Sequence, residues 1–238
     1  MLCLAGKYIS ILGASTSTFD GFSNCTQYNT TLSNNVTYFP KEFLDDVHDT
    51  WWMRVIDTLN LKLCVNNSWS GSCITTMVDD INKAGCMKRA TELHNDVLGI
   101  EPDIIVLIIG GNDALRGYDV GPCGDTYDQP GDLTLFAPAY ASMVHKVKNR
   151  YPNADIYLCS MLHWLPRKHD KGLTPYNDAI KKIARDFRVS YVDFYNGTDI
   201  RPETESLYFH TDGVHPNKHG FEQMASCFIN CLKARYAE

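Results

Sequence analysis

The stretch Asp103-Ile104-Ile105-Val106-Leu107-Ile108-Ile109-Gly110-Gly111-Asn112-Asp113 decides the fold. Its apolar residues run without alternation. A strand with one wet face alternates apolar and polar residues; unbroken apolarity means cover on both faces, as in the middle of a parallel sheet. The run ends in a Gly pair and an Asn-Asp pair, residues that turn the chain. Parallel neighbours need long crossovers, so helices should flank this strand in sequence.

Working outward, Tyr8 to Gly13 reads as a short buried strand closed by Gly, and Leu61 to Val65, Asp155 to Cys159 and Val189 to Phe194 read as further strands. Asp49 to Asn60 reads as a helix capped by Asp49 or Thr50, with Trp52, Val55, Ile56 and Leu59 on one face. Cys86 to Leu98, Leu133 to Arg150 (with Pro138 near its start) and Pro175 to Phe187 read as helices; the last begins at Pro216 and runs to about Arg235. Strands and helices alternate throughout, which implies an α/β protein with a parallel sheet and helices on both faces. Two polar insertions, Ser15 to about Asp49 and Gly117 to Gly131, read as loops on one domain spanning residues 1–238. Loops of this length inside a domain are usually functional or flexible.

Lys plus Arg is 22 and Asp plus Glu 28, a net charge of -6. With no basic run, the chain lacks the positive footprint that nucleic acid or an anionic membrane requires. No apolar stretch reaches the ~20 residues of a membrane span. The nine cysteines are scattered, with no CxxC and no zinc-like spacing, and read as packing residues of a reducing compartment. Sequons at Asn24, Asn29 and Asn35 keep export with one or two disulfides open as the alternative. No signal peptide precedes the first strand, so the expected location is cytoplasmic as written, or secreted if a leader was removed.

In open α/β sheets, sites form beyond the carboxyl ends of the strands. Ser15 follows the first strand, Gly71 lies in the loop after the second, and Asn112 follows the third; Asp212 and His215 stand just before the last helix. These are the parts of a serine hydrolase. His215 can serve as base for the Ser15 hydroxyl, and Asp212 can accept from the other imidazole nitrogen. The backbone N–H groups of Ser15 and Gly71 with the Asn112 side chain can hold an oxyanion.

These blocks, in this order, resemble the SGNH hydrolases, also called GDSL-type esterases and lipases, from Gly6 to about Arg235. The resemblance implies a three-layer α/β/α sandwich, flavodoxin-like, around a five-stranded parallel sheet. It implies Ser15, His215 and Asp212 as triad, Ser15, Gly71 and Asn112 as oxyanion hole, and neither metal nor organic cofactor. One residue departs from the family's Gly-Asp-Ser block: the middle position is Ala14. That puts the hydrogen bonding of the turn in question more than the chemistry.

Several residues have rival readings. Ser17 is a second candidate nucleophile, lacking the place directly after the strand. Asp113 reads as support for the turn carrying Asn112. His215 and His219 are four apart, but no Glu lies between them in an HExxH pattern, so no metal site is read there. Trp52, His163 and Trp164 are candidate substrate contacts, one of Trp51 and Trp52 being core by helical facing. The polar, aromatic-dotted insertions suit a small-molecule or carbohydrate ester, so the expected activity is short-chain ester hydrolysis, a carbohydrate O-acetylesterase first. Alternatives are a lysophospholipase, lipase or thioesterase on longer chains and, from another class, an inactive carbohydrate-binding protein.

Overall fold

In the computed structural model, residues 4–23, 37–40, 44–77, 86–124, 131–163 and 172–237 are described. The Ile-rich run forms β3 (Ile104–Ile108), flanked by β1 (Tyr8–Gly13) on one side and β4 (Asp155–Cys159) on the other. With β2 (Lys62–Asn66) and β5 (Ser190–Val192) they make a five-stranded sheet of order β2-β1-β3-β4-β5, parallel at every pairing. This is the flavodoxin-like order, whose switch point lies between β1 and β3.

The unbroken apolarity of β3 serves two cores. Ile104 and Val106 join a cluster with α1 (Trp51–Leu59) and α7 (Lys218–Arg235). Ile105 and Leu107 join a second cluster with α2 (Cys86–Arg89), α4 (Phe136–Arg150) and α5 (Thr174–Phe187). Two short helices, α3 (Gly111–Leu115) and α6 (Phe194–Gly197), follow β3 and β5 directly. The expected three-layer α/β/α sandwich is therefore the architecture.

Local chemistry explains where elements differ from the sequence reading. The helix expected over Cys86 to Leu98 ends at Arg89. Beyond it, Leu93 N–H donates to Tyr151 Oη at 2.6 Å and the Leu93 carbonyl accepts from Ser10 Oγ at 2.7 Å, so tertiary partners hold groups a helix would use itself. Asn95 and Ile100 then pair as an antiparallel bridge. The last helix starts after Asn217, not at Pro216, because the Asn217 side chain accepts from the N–H groups of His219 and Gly220 and caps it. The fifth strand stops at Val192, since Asp193 accepts from Asn196 N–H and opens α6. Thr50 caps α1, accepting from Met53 N–H at 3.2 Å.

Both tryptophans of α1 are core. Trp51 and Trp52 are 0 % exposed, which corrects the assignment of Trp52 as a substrate contact. The apolar stripe of α1 is wide enough to carry both positions inward. Because Ile105 is fully buried at the sheet centre, Ile105→Ala should lower stability by about 2–5 kcal/mol. Urea denaturation measures this; a loss under about 0.5 kcal/mol would contradict burial of β3 on both faces.

Candidate active site

The carboxyl ends of β1 and β3 place Ser15 and Asn112 on one edge of the sheet. Gly13 closes β1 where a Cβ would meet Ser17 Oγ and Ser68 Oγ at 3.0 Å, so a larger residue would push the turn away from the β2 loop. Ser15 opens a single 3-10 turn, its carbonyl accepting from the backbone N–H of Thr18 at 3.1 Å and from Thr18 Oγ1 at 2.8 Å. Its hydroxyl lies 2.8 Å from His215 Nε2. On the other side of the imidazole, Nδ1 lies 2.7 Å from Asp212 Oδ2. With the Nδ1 proton directed to Asp212, Nε2 is left to accept from Ser15.

Asp212 is held on both oxygens. Oδ1 accepts from Val214 N–H at 2.9 Å and His215 N–H at 3.0 Å, while Oδ2 also accepts from Tyr38 Oη at 2.7 Å. Burial alone would raise the Asp212 carboxyl, but these hydrogen bonds and that from the His215 ring hold it well below the usual carboxylate range. The carboxylate therefore stays charged wherever the imidazole has to accept a proton. Burial, followed by Asp212 itself, pushes the Tyr38 phenol well above its ordinary value, so Tyr38 remains a donor.

Asn112 sits in the first turn of α3, after Gly110 at φ 118°, a backbone angle that favours glycine. Its Nδ2 donates to the Ser72 carbonyl at 2.9 Å, which leaves the second N–H of the amide for another acceptor. Gly71 stands beside Ser72 in the β2 loop at φ 76°. Two residues brace this loop. Arg89, itself buried, donates to the Asn67 carbonyl and, at 2.6 Å, to Ser72 Oγ, with its guanidinium over the Trp69 ring. Asp113 accepts from Ile74 N–H at 2.9 Å, Thr75 N–H at 3.0 Å and Thr75 Oγ1 at 2.8 Å. Asp113, expected to support its own turn, ties the β3 turn to the β2 loop. Nothing in the sequence context of Arg89 marks it as buried.

A cleft of about 590 Å³, its open mouth included, runs from Ser15 past Asn112. Ile108, Ile109, Leu115, Met161 and Val214 give it apolar walls, with Thr16 and Ser160 as polar points. Gly71, expected as an oxyanion donor, is not in those walls; its neighbour Ser72 is the residue whose carbonyl Asn112 holds. Ser17 is fully buried and its hydroxyl accepts from Trp51 Nε1 at 3.2 Å, so it is a structural residue and not a rival nucleophile. His163 stacks on Tyr195, with centroids 3.6 Å apart, and burial lowers its pKa. Trp164 and the sequon residues Asn24, Asn29 and Asn35 lie outside the described residues. His219 pairs with Glu222 at 3.3 Å, and no group of potential metal ligands occurs among the described residues. Cys64, Cys73, Cys86, Cys123, Cys159, Cys227 and Cys231 carry free thiols, and burial pushes the Cys73 thiol up to about 12.

A doubly wound parallel sheet with serine, histidine and aspartate meeting beyond its carboxyl edge defines an α/β/α-sandwich hydrolase. Residues 7–232 match the family of GDSL-like lipases and acylhydrolases, and the chain belongs to that family, whose members hydrolyse carboxylic esters. A protein described as a GDSL-like lipase from Bacteroides ovatus is similar at 25% identity and TM-score 0.72, over 97% of this chain and 99% of that one. Another from Bacteroides uniformis is similar at 25% identity and TM-score 0.71, over 96% of each chain. A family two carbohydrate esterase from Clostridium thermocellum shares the fold at 16% identity and TM-score 0.61, over 98% of this chain and 64% of that one. No curated protein sequence matches the chain significantly.

Burial raises the Asp113 carboxyl to about 6, despite the hydrogen bonds it accepts. The unfolded chain gives up this proton at lower pH than the folded one, so the Asp113 contribution to stability is complete below about pH 4 and is lost as pH rises through about 6. In chemical denaturation across that range, the stability of the wild type relative to Asp113→Asn should therefore fall with rising pH. A difference that stays flat or rises would contradict the burial of this charge.

Proposed function

We propose that the protein is a serine esterase working through Ser15, His215 and Asp212. The observation that carries this reading is the unbroken relay from the Ser15 hydroxyl through His215 to Asp212, at 2.8 and 2.7 Å. His215 Nε2 takes the proton as Ser15 Oγ attacks the ester carbonyl, and Asp212 stabilises the imidazolium. The Asn112 amide and the backbone N–H of Ser15, both in the cleft walls, hold the oxyanion of the tetrahedral intermediate. His215 then protonates the departing alcohol. Water then attacks the acyl carbonyl as His215 takes its proton, and His215 returns that proton to Ser15 Oγ as the C–Oγ bond breaks and the acid leaves. In this reading residues 1–238 form one catalytic domain, since the nucleophile at Ser15 and the base at His215 come from opposite ends of the chain.

On the substrate, our reading is a short-chain acyl ester whose alcohol is polar, a carbohydrate O-acetyl ester first. Support comes from the polar composition of the insertion after β1, from Thr16 and Ser160 in the cleft, and from the fold shared with a carbohydrate esterase. The apolar walls formed by Ile108, Ile109, Leu115, Met161 and Val214 favour a second reading, a lipase or thioesterase on longer acyl chains. An inactive carbohydrate-binding protein has no use for the Ser15–His215 contact.

Ser15→Ala should lower kcat by roughly 10⁴-fold or more, and near-normal turnover would end the assignment. Asn112→Ala should cost about 10²–10³ in kcat, whereas an unchanged rate would remove Asn112 from the oxyanion hole. For the substrate, p-nitrophenyl acetate, butyrate and octanoate are compared, followed by acetate release from acetylated xylan, mannan, chitin fragments and sialic acid with Ser15→Ala as blank. A maximum at acetate and release from a glycan fit the first reading; a maximum at octanoate selects the second.

A further inference from the structure

Tyr38 belongs to the long insertion between β1 and α1, away from every residue of the proposed triad in sequence. Its ring lies flat on the His215 imidazole, with centroids 3.5 Å apart and planes 14° from parallel. Its hydroxyl donates to Asp212 Oδ2 at 2.7 Å, the same oxygen that accepts from His215 Nδ1. One side chain thus touches both the proposed base and the acid that orients it.

The contact is built in. Tyr38 N–H donates to Thr18 Oγ1 at 2.8 Å, and Thr18 Oγ1 donates to the Ser15 carbonyl at 2.8 Å, so one threonine joins the nucleophile turn to the Tyr38 backbone. The next residue, Phe39, is buried; it places its ring edge-on to His215 and packs against Phe221 of α7, and its carbonyl accepts from Asp20 N–H at 2.8 Å.

We infer that Tyr38 is a positioning residue of the triad, setting both the angle of the His215 ring and the charge balance between His215 and Asp212. The inference rests on the proposed roles of Ser15, His215 and Asp212. A histidine ring rotates about two side-chain bonds, and a productive base must keep Nε2 aimed at Ser15 Oγ through the whole cycle. The Asp212 hydrogen bond fixes one edge of the ring, and the Tyr38 face prevents it from tilting out of that line. The two Tyr38 contacts oppose each other electrostatically. The ring face attracts the imidazolium when it forms. The hydroxyl draws charge from Asp212 Oδ2, which weakens the pull of that carboxylate on the same imidazolium.

His210 donates its backbone N–H to the His215 carbonyl at 2.9 Å, and burial lowers its own pKa. At the start of α7, Lys218 pairs with Asp49 and His219 with Glu222.

The test uses Tyr38→Phe, Tyr38→Leu and Ser15→Ala on the best p-nitrophenyl ester of the series, with melting curves for each. Tyr38→Phe keeps the stack and removes the hydrogen bond. Asp212 then favours the charged imidazole more strongly, and the acidic limb of the kcat/KM profile should move up by about half a pH unit or more, with plateau kcat within about 5-fold of wild type. Tyr38→Leu also removes the stack, and kcat should fall about 10–100-fold with KM within about 3-fold. An acidic limb that does not move in Tyr38→Phe, or a Tyr38→Leu loss confined to KM, would overturn the inference. If Tyr38→Leu does not fold, the limb of Tyr38→Phe alone decides, for or against. Retained activity in Ser15→Ala would overturn the triad itself, whereas an inactive Ser15→Ala beside wild-type profiles for the Tyr38 variants would overturn only the role of Tyr38.

Discussion

The parallel pairing of β1 with β3, from Ile9↔Ile104 to Gly13↔Ile108, is the constraint on which the rest depends. Parallel strands end on the same edge, so whatever follows β1 and β3 must emerge side by side. That alone brings Ser15 next to Asn112, nearly one hundred positions later in the chain. The pairing is secured by burial on both faces, with Ile104 and Val106 in one core and Ile105 and Leu107 in the other. A charge introduced at any of the four would have no water to reach, so the site edge inherits the rigidity of the best-packed strand.

Upon that edge, chemistry is assembled by loops that hold each other. Asn112 holds the Ser72 carbonyl, Arg89 holds Asn67 and Ser72, and Asp113 holds Ile74 and Thr75. Each contact joins the loop after β2 to the turn after β3 or to α2. In the proposed mechanism oxyanion donors act by being fixed in advance, and this net fixes Asn112. Tyr38 adds the corresponding brace on the other side of Ser15, where His215 and Asp212 sit.

The sequence made much of this legible, for reasons that differ from residue to residue. β1 and β4 fall where the apolar runs begin and end, because a fully buried strand has no other signature. That Ser15, His215 and Asp212 meet was legible because each follows a strand or precedes the last helix. The end of α2 at Arg89 was not legible, since Ser10 and Tyr151, distant in sequence, capture the backbone of Leu93. Trp52 looked available for a sugar because a helical stripe does not show how wide the covered face is. Tyr38 was hidden in a segment whose composition is polar and non-periodic; its role comes from a stack and a hydrogen bond that no spacing rule encodes. Ala14, the departure from the family block, sits in the cleft wall beside a Ser15 still aligned on His215.

In the proposed cycle Ser15 carries the acyl group. Rapid quenching in acid during turnover of a p-nitrophenyl ester, followed by peptide mass mapping, tests this. The expected result is an added acyl mass on the peptide holding Ser15, localised to Ser15, with a burst of p-nitrophenol approaching one equivalent per chain when deacylation is the slower step. An acyl mass localised to Ser17 or to another residue would contradict it. So would turnover in which neither a burst nor a covalent adduct forms with the wild type, over an ester series in which deacylation becomes limiting.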